Sequence, residues 1–110
     1  MSTVNAFSPK GQTFLVTTSD VQIKTQDNVG AISYRIRNLS TATAYFGYKP
    51  ADPLGAAVAI GTVTIPTAGS PSQNVIGMFP ESVEVFTLPP NVWMKSDTAN
   101  AFEVIAGEGI

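Results

Sequence analysis

The chain has 110 residues, of which 44% are hydrophobic and 13% are charged, and its formal net charge is −2. This length suits one domain with a single modest core. Because the charged fraction is far below the usual quarter, the surface must consist largely of small polar and apolar residues. Such a surface is easily desolvated against a partner, although a soluble domain that is simply poor in charge has the same composition. The six basic residues are scattered, which excludes the dense basic footprint that nucleic acid requires.

Neither Cys nor His occurs in the chain. Without Cys there is no disulfide framework and no thiolate metal site. Without His the commonest general base and the commonest neutral metal ligand are missing. The nucleophile-elbow and phosphate-loop patterns are absent as well. The sequence therefore predicts no catalytic site, no cofactor and no metal.

Residues 1–12 have no hydrophobic periodicity. We expect an extended N-terminal arm there, followed by a single β domain over residues 13–110. The arm is either a frayed terminus or a segment that packs on a neighbouring subunit through Val4 and Phe7. No signal-peptide pattern is visible, and no apolar run approaches the ~20 residues of a membrane span, so we expect production in a cytosol and no membrane partner.

After the arm, short β-rich runs are separated by turns rich in Gly, Pro, Ser and Thr. Alternation is clearest over residues 32–37, where Ile32, Tyr34 and Ile36 face one way. No run has a helical period. About eight short strands at this spacing predict an all-β, single-domain antiparallel β-sandwich or barrel, with a jelly roll preferred. The runs expected as strands are residues 13–17, 21–24, 32–37, 42–48, 58–65, 73–78, 83–88, 91–96 and 101–106.

A hairpin is expected between residues 32–37 and 42–48, because the residues between them are typical of a turn. Alternation within each run also predicts which side chains form the core. These are Phe14, Val16, Val21, Ile23, Ile32, Tyr34, Ile36, Val63, Ile65, Val83, Val85, Val92, Phe102 and Val104.

Glu84 and Glu103 are the carboxylates that a glycosidase would need on either side of a cleft. With the valines beside Glu84 assigned to the core, alternation places both carboxylates on the solvated face, where Arg35 and Arg37 also lie. Surface ion pairs worth a fraction of a kcal/mol are therefore expected in place of catalysis.

Aromatic residues are the remaining candidates for binding. Tyr45, Phe46 and Tyr48 follow one another closely, and Trp93 alternates against two apolar neighbours. Exposed aromatic rings stack on sugars or anchor protein interfaces, and Trp93 is equally suited to covering the edge of the core. Together with the arm and the basic strand face, the candidate partner contacts are Val4, Phe7, Arg35, Arg37, Tyr45, Phe46, Tyr48 and Trp93.

Several segments carry a resemblance to a known class of proteins: Tyr34-Arg-Ile-Arg-Asn-Leu-Ser40, Tyr45-Phe-Gly47, Phe79-Pro-Glu-Ser-Val-Glu-Val85 and Ser96-Asp-Thr-Ala-Asn100, with a last strand and a Gly/Glu tail. In these features the chain resembles small all-β virion proteins of tailed bacteriophages, in particular the capsid decoration or cement proteins.

The resemblance implies a non-catalytic structural protein, often a jelly-roll-like trimer, on the capsid surface of a virion assembled in the host cytoplasm. Its partners would be the major capsid protein and like subunits, with trimer the favoured homo-oligomer. The alternative is a carbohydrate- or receptor-binding β module of a phage tail or neck. The resemblance assigns no role to any single residue.

Overall fold

The computed structural model describes residues 6–25 and 31–109, and within them it has eight strands and no helix. The strands form two antiparallel four-stranded sheets, with the orders β1-β8-β3-β6 and β2-β7-β4-β5. This confirms the all-β prediction and is consistent with a β-sandwich. The strands are β1 (Ser8–Val16), β2 (Val21–Gln22), β3 (Ser33–Asn38), β4 (Ala44–Lys49), β5 (Val75–Met78), β6 (Val83–Thr87), β7 (Trp93–Ser96) and β8 (Phe102–Glu108).

The pairing of these strands is nested. β1 pairs with β8, β2 with β7, β3 with β6, and β4 with β5. Two further pairs, β3 with β8 and β4 with β7, join these ribbons into the two sheets. Consecutive strands from β1 to β4 therefore alternate between the sheets. The expected hairpin of β3 and β4 is wrong, because these strands lie in different sheets and the turn between them crosses from one sheet to the other.

The core lies between the two sheets, and aromatic rings from both sheets pack against one another in it. Phe46 of β4 makes edge-to-face contacts with Phe102 of β8 at 5.2 Å and with Phe86 of β6 at 5.8 Å between ring centroids. Tyr34 and Ile36 of β3 are fully buried in the same core. Burying an aromatic or large aliphatic side chain contributes about 1.5–3 kcal/mol, and these rings join both sheets into one unit.

Strand β6 presents the opposite face from the one expected. The register places Val83 and Val85 opposite Arg37 and Arg35, whereas Phe86 lies opposite the buried Tyr34. Residues directly opposite each other in an antiparallel pair point to the same side, so the valines face outward. The core prediction is therefore wrong for Val83, which is 44% exposed, and for Val85, which faces the same side. It is also wrong for two exposed isoleucines, Ile32 and Ile65.

Residues 58–65 were expected to form a strand, but the segment between β4 and β5 contains none. Instead, part of this segment packs on the outer face of the second sheet. A Cβ atom added to Gly47 of β4 would lie 3.2 Å from a methyl group of Ile60 and 3.3 Å from a methyl group of Val63. Glycine at position 47 thus allows the segment to approach the sheet closely. We call residues 50–74 the strap.

Strand β1 begins inside the region predicted to be an arm. Ser8 and Pro9 pair with Glu108 and Gly107 of β8, and the register shifts between Pro9 and Thr13. Residues 8–12 of the expected arm therefore belong to strand β1. Val4, one of the two expected anchors of the arm, lies outside the described residues.

Candidate functional site

Four connections meet at one end of the sandwich, which we call the turn end: β1–β2, β3–β4, β5–β6 and β7–β8. Backbone hydrogen bonds link them, from Asn38 N to Ser82 O at 2.9 Å, from Leu39 N to Ala101 O at 2.7 Å and from Ser96 N to Thr17 O at 2.8 Å. These bonds hold the four connections together and fix which turns are neighbours.

The outer face of the first sheet carries both of the strand arginines. Arg35 lies opposite Ile105 and Val85, and Arg37 lies opposite Glu103 and Val83. We call this surface the arginine face, and its members are Leu15, Arg35, Arg37, Val83, Val85, Glu103 and Ile105. Half-buried and exposed apolar side chains surround a few charges there, a composition typical of a protein contact surface.

The two arginines differ in their partners. Arg35 Nη1 lies 3.7 Å from Glu103 Oε1, and these side chains are 42% and 37% exposed. An exposed pair of this kind contributes roughly 0–1 kcal/mol. Arg37 is exposed and forms no salt bridge with any residue in ranges 6–25 and 31–109. Arg37 is thus the cation of this face that remains available to a partner.

Glu84 and Glu103 do not form a catalytic pair. Glu103 lies on the outer face beside Arg37, whereas Glu84 lies opposite the buried Ile36 and so projects from the other side of the first sheet. Their expected placement on one face was wrong because the alternation of β6 is reversed. In the described part of the chain, no group of three or more acidic residues is arranged to hold a metal ion. Nor does that part contain a helix long and apolar enough to span a membrane.

Glu84 lines an open cavity of about 280 Å³ at the turn end. The other lining residues are Thr43, Tyr45, Gly77, Met78 and Phe79. The Tyr45 ring lies directly on Gly77, since an added Cβ would come within 2.7 Å of its Cε2 atom. Phe79 is 79% exposed and forms part of the wall. This Glu84 cavity combines apolar walls with one carboxylate, a combination that suits a long side chain with a cationic end.

A larger open cavity, of about 1070 Å³, follows the free edge of β2 and contains Trp93. The Trp93 ring is half-buried, and its Nε1 atom is covered but has no hydrogen-bond acceptor in the described part of the chain. We call it the Trp93 cavity, and its lining is Gly11, Gln12, Phe14, Asp20, Val21, Gln22, Lys24, Thr25 and Trp93. An aromatic ring next to amides and a carboxylate is chemistry that accommodates a hydroxyl-rich ligand.

The other expected aromatic contacts have internal roles. Phe46 is fully buried, so its assignment as a surface contact was wrong: β4 turns this side chain into the core. Tyr48 is half-buried against the same core. Phe7 packs on its own chain, since its ring closely covers Gly107. Tyr45 borders the Glu84 cavity, and Tyr48 borders a separate, smaller cavity of about 180 Å³ beside Ile60 and Val63.

Two polar residues of the core have roles that the sequence pattern did not reveal. Asn38 donates from Nδ2 to the carbonyl oxygens of Ala42, Met78 and Phe79. The Tyr34 hydroxyl donates to Pro89 O at 2.6 Å. Asn38 is the last residue of an alternating strand, where an asparagine is expected simply as the start of a turn. Its position among these carbonyl groups is visible only in the tertiary structure. The exposure of Phe79 was missed as well, although the proline and glutamate after it predict a turn.

No family model matches the chain, and no curated protein or solved structure is significantly similar to it. The geometry of these surfaces therefore carries the functional argument.

Proposed function

We propose that this chain is a structural virion protein, a capsid decoration or cement protein that binds and stabilises the outside of a bacteriophage head as an oligomer, with a trimer favoured. Its partners in this proposal are the major capsid protein and like subunits, and its location is the capsid surface. The protein acts by contact alone. Many copies, each burying a low-charge surface, reinforce the lattice.

The strand pairing supports a jelly roll as part of this proposal. A jelly roll arises when one long antiparallel ribbon, with the first strand beside the last and the middle strands adjacent, is rolled into two sheets. The nested pairs β1–β8, β2–β7, β3–β6 and β4–β5 have this order. Double-sheet jelly rolls occur in viral capsid proteins and in lectin domains, so this order is compatible with both candidate functions and does not separate them.

The observation that carries the proposal is the presence of exposed apolar side chains on constrained turns. Leu54 is 95% exposed on the strap, where Asp52 Oδ2 accepts from Leu54 N at 2.9 Å and from Ala56 N at 3.2 Å. Phe79 is 79% exposed at the turn end, and Ser82 donates to its carbonyl oxygen. Because these hydrogen bonds already fix the backbone of both turns, binding through the two side chains has little backbone left to order, so these two residues are suited to anchoring a permanent interface.

The test is binding of the purified protein to expanded phage heads that lack it, followed by sedimentation and electron microscopy. We expect saturable binding and heads that resist heat better. Leu54→Ser and Phe79→Ser replace exposed side chains in different turns, so both variants should fold normally. The variant whose affinity falls by about tenfold or more identifies the turn that faces the shell. A protein that leaves such heads unbound contradicts the proposal.

The second candidate function is a carbohydrate- or receptor-binding module of a phage tail or neck, and the Trp93 cavity is the observation that favours it. Its ring and neighbouring polar groups offer stacking and hydrogen bonds to a sugar. A glycan array separates the two functions, because binding that disappears in Trp93→Ala and persists in Tyr45→Ala would support the module. An array without any ligand, together with binding to heads, would favour the decoration protein.

A further inference from the structure

Two charged groups of opposite sign lie at the turn end without salt-bridge partners in the described residues. Arg37 projects from the arginine face, and Glu84 lines the Glu84 cavity. The two residues lie close together along paired strands, because Arg37 of β3 lies opposite Val83 of β6 and Glu84 is the next residue of β6. However, they point to opposite sides of the first sheet, because Glu84 is on the side of the buried Ile36. Arg37 therefore cannot enter the Glu84 cavity of its own chain.

We propose that Arg37 of one copy inserts into the Glu84 cavity of a second copy, and that this contact builds the oligomer. The inference rests on the proposed function, which calls for an oligomer, and it names the surfaces that join the subunits.

The chemistry of both partners supports this occupant. Within the cavity, Tyr45, Met78 and Phe79 provide apolar walls for the methylene stem of an arginine, and Glu84 provides a carboxylate for its guanidinium. An aromatic wall also attracts the cation through its π face. On the donor side, Arg37 lies between Val83 of β6 and Glu103 of β8, and Leu15 of β1 lies beyond Glu103 on the same face. Val83 and Leu15 are exposed apolar residues that the same contact would cover. Arg35 is the less suitable donor because Glu103 already engages it.

The symmetry of such a contact follows from its two unlike halves. Each copy offers one arginine and one cavity, so the interface is heterologous, and contacts of this kind close into rings when the rotation between copies allows it. Arg37 and Glu84 both lie near the turn end, on either side of one sheet. A closed ring with the turn ends near its axis agrees with the favoured trimer.

The experiment measures the mass of the intact chain in solution by light scattering and analytical ultracentrifugation across a concentration series. We expect the wild type to be oligomeric and the variants Arg37→Glu and Glu84→Arg to dissociate at concentrations at least about tenfold higher. The double variant that carries both changes restores the opposite-charge pair and should recover the oligomer. Circular dichroism establishes that every variant is folded.

Matched controls use charges at neighbouring positions. Arg35→Gln on the same face and Glu81→Gln in the adjoining turn should leave the mass unchanged. A monomeric wild type, an Arg37→Glu variant that associates normally, a double variant that stays dissociated or controls that dissociate equally would overturn the inference. Failure here is distinguishable from failure of the proposed function. If the protein binds phage heads but its oligomeric mass does not change in Arg37→Glu, the decoration role stands and only this interface is rejected.

Discussion

Asn38 Nδ2 donates a hydrogen bond of 3.0 Å to the carbonyl oxygen of Met78, a residue forty positions later in the other sheet. The same amide group reaches the carbonyl oxygens of Ala42 and Phe79, both at 3.1 Å, while Asn38 Oδ1 accepts from Ser40 N at 2.8 Å. Asn38 is fully buried. One side chain thus joins two turns to the first sheet, and it positions the turn that presents Phe79.

Asn38→Ala should be strongly destabilising. The substitution leaves buried carbonyl oxygens without a donor, and each unsatisfied buried group costs about 1–3 kcal/mol. We expect the free energy of unfolding in urea to fall by about 2–4 kcal/mol. Ser40→Ala is the control, since within residues 6–25 and 31–109 its hydroxyl makes a single, exposed hydrogen bond, accepted from Ala42 N, and its effect should stay within about 0.5 kcal/mol. Equal losses for both variants would show that Asn38 does not hold the turns together.

Tyr34 makes stability depend on pH in alkaline solution. Burial raises the pKa of its hydroxyl above the ordinary 10.0, while hydrogen bonds with the backbone of Val92 and Asn91 act in the opposite direction. The unfolded chain therefore loses this proton at a lower pH than the folded chain. The stability that the protonated Tyr34 hydroxyl contributes is fully present below pH 10.0. It is lost as the pH rises from there through the raised pKa of the folded state.

Tyr34→Phe tests this dependence. At neutral pH the variant should lose about 1–2 kcal/mol, because Pro89 O loses the hydroxyl donor and Val92 N loses its acceptor. Above pH 10.0 its stability should fall less steeply than that of the wild type, measured by urea unfolding at a series of pH values. Parallel curves for Tyr34→Phe and wild type would contradict the assignment.

Glu81 occupies a backbone conformation that favours glycine. Its φ is 58°, and it follows Pro80 in a turn closed by a 3.2 Å hydrogen bond from Ser82 N to Phe79 O. Proline followed by a residue with positive φ describes a type II turn, whose third position prefers Gly or Asn. Glu81→Gly should therefore stabilise the fold by up to about 1 kcal/mol, since relief of the left-handed strain exceeds the entropy cost of glycine.

The matched control for this turn is Glu84→Gly, three residues later in β6. Its backbone is a regular strand, so glycine there should destabilise by about 0.5–1 kcal/mol. Thermal unfolding of the two variants gives shifts of opposite sign if the strain at Glu81 is real. A lower melting temperature for both variants would show that the glutamate is not strained.

Alternation predicted the buried side of a strand correctly where charged residues identify the solvent-exposed side. Arg35 lies between Tyr34 and Ile36, Arg37 follows Ile36, and both Tyr34 and Ile36 are buried as expected. In β6 three of the four residues from Val83 to Phe86 are apolar. The local pattern therefore favours burial of the face with the two valines over burial of the face with Phe86. The register with β3 decides in favour of Phe86, and this register depends on residues far away in the chain.

The candidate site was predictable to the same extent. Arg35 and Arg37 could be placed on an outward face because their own strand determines it. The Glu84 cavity depends on the reversed β6 and on β4 and β5, which meet at the turn end only after the strands are distributed between two sheets. The polar turn after β3 is equally compatible with a hairpin and with a crossing between sheets. Local sequence therefore did not determine which charges lie near each other.

Three charged side chains hold the strap: Lys49 and Lys95 of the second sheet, and Asp20 of the β1–β2 connection. Lys95 Nζ donates to Gly61 O at 2.7 Å, Lys49 Nζ donates to Ala59 O at 3.0 Å, and Ile60 N donates to Asp20 Oδ1 at 3.2 Å. These bonds converge on three consecutive residues of the strap. Most of the other strap residues are exposed, so removing one anchor should release the strap locally while the core remains folded.

Lys95→Met keeps the aliphatic stem of the side chain and removes the donor to Gly61. We expect proteolytic cleavage within residues 50–74 to accelerate several-fold, while the free energy of global unfolding changes by less than about 1.5 kcal/mol. Mass spectrometry of the early fragments locates the cuts. Lys24→Met replaces an exposed lysine outside the set of strap anchors and should be cleaved at the wild-type rate. If Lys95→Met is cleaved no faster than Lys24→Met, the apolar contacts of Ile60 and Val63 on Gly47 hold the strap without the lysine.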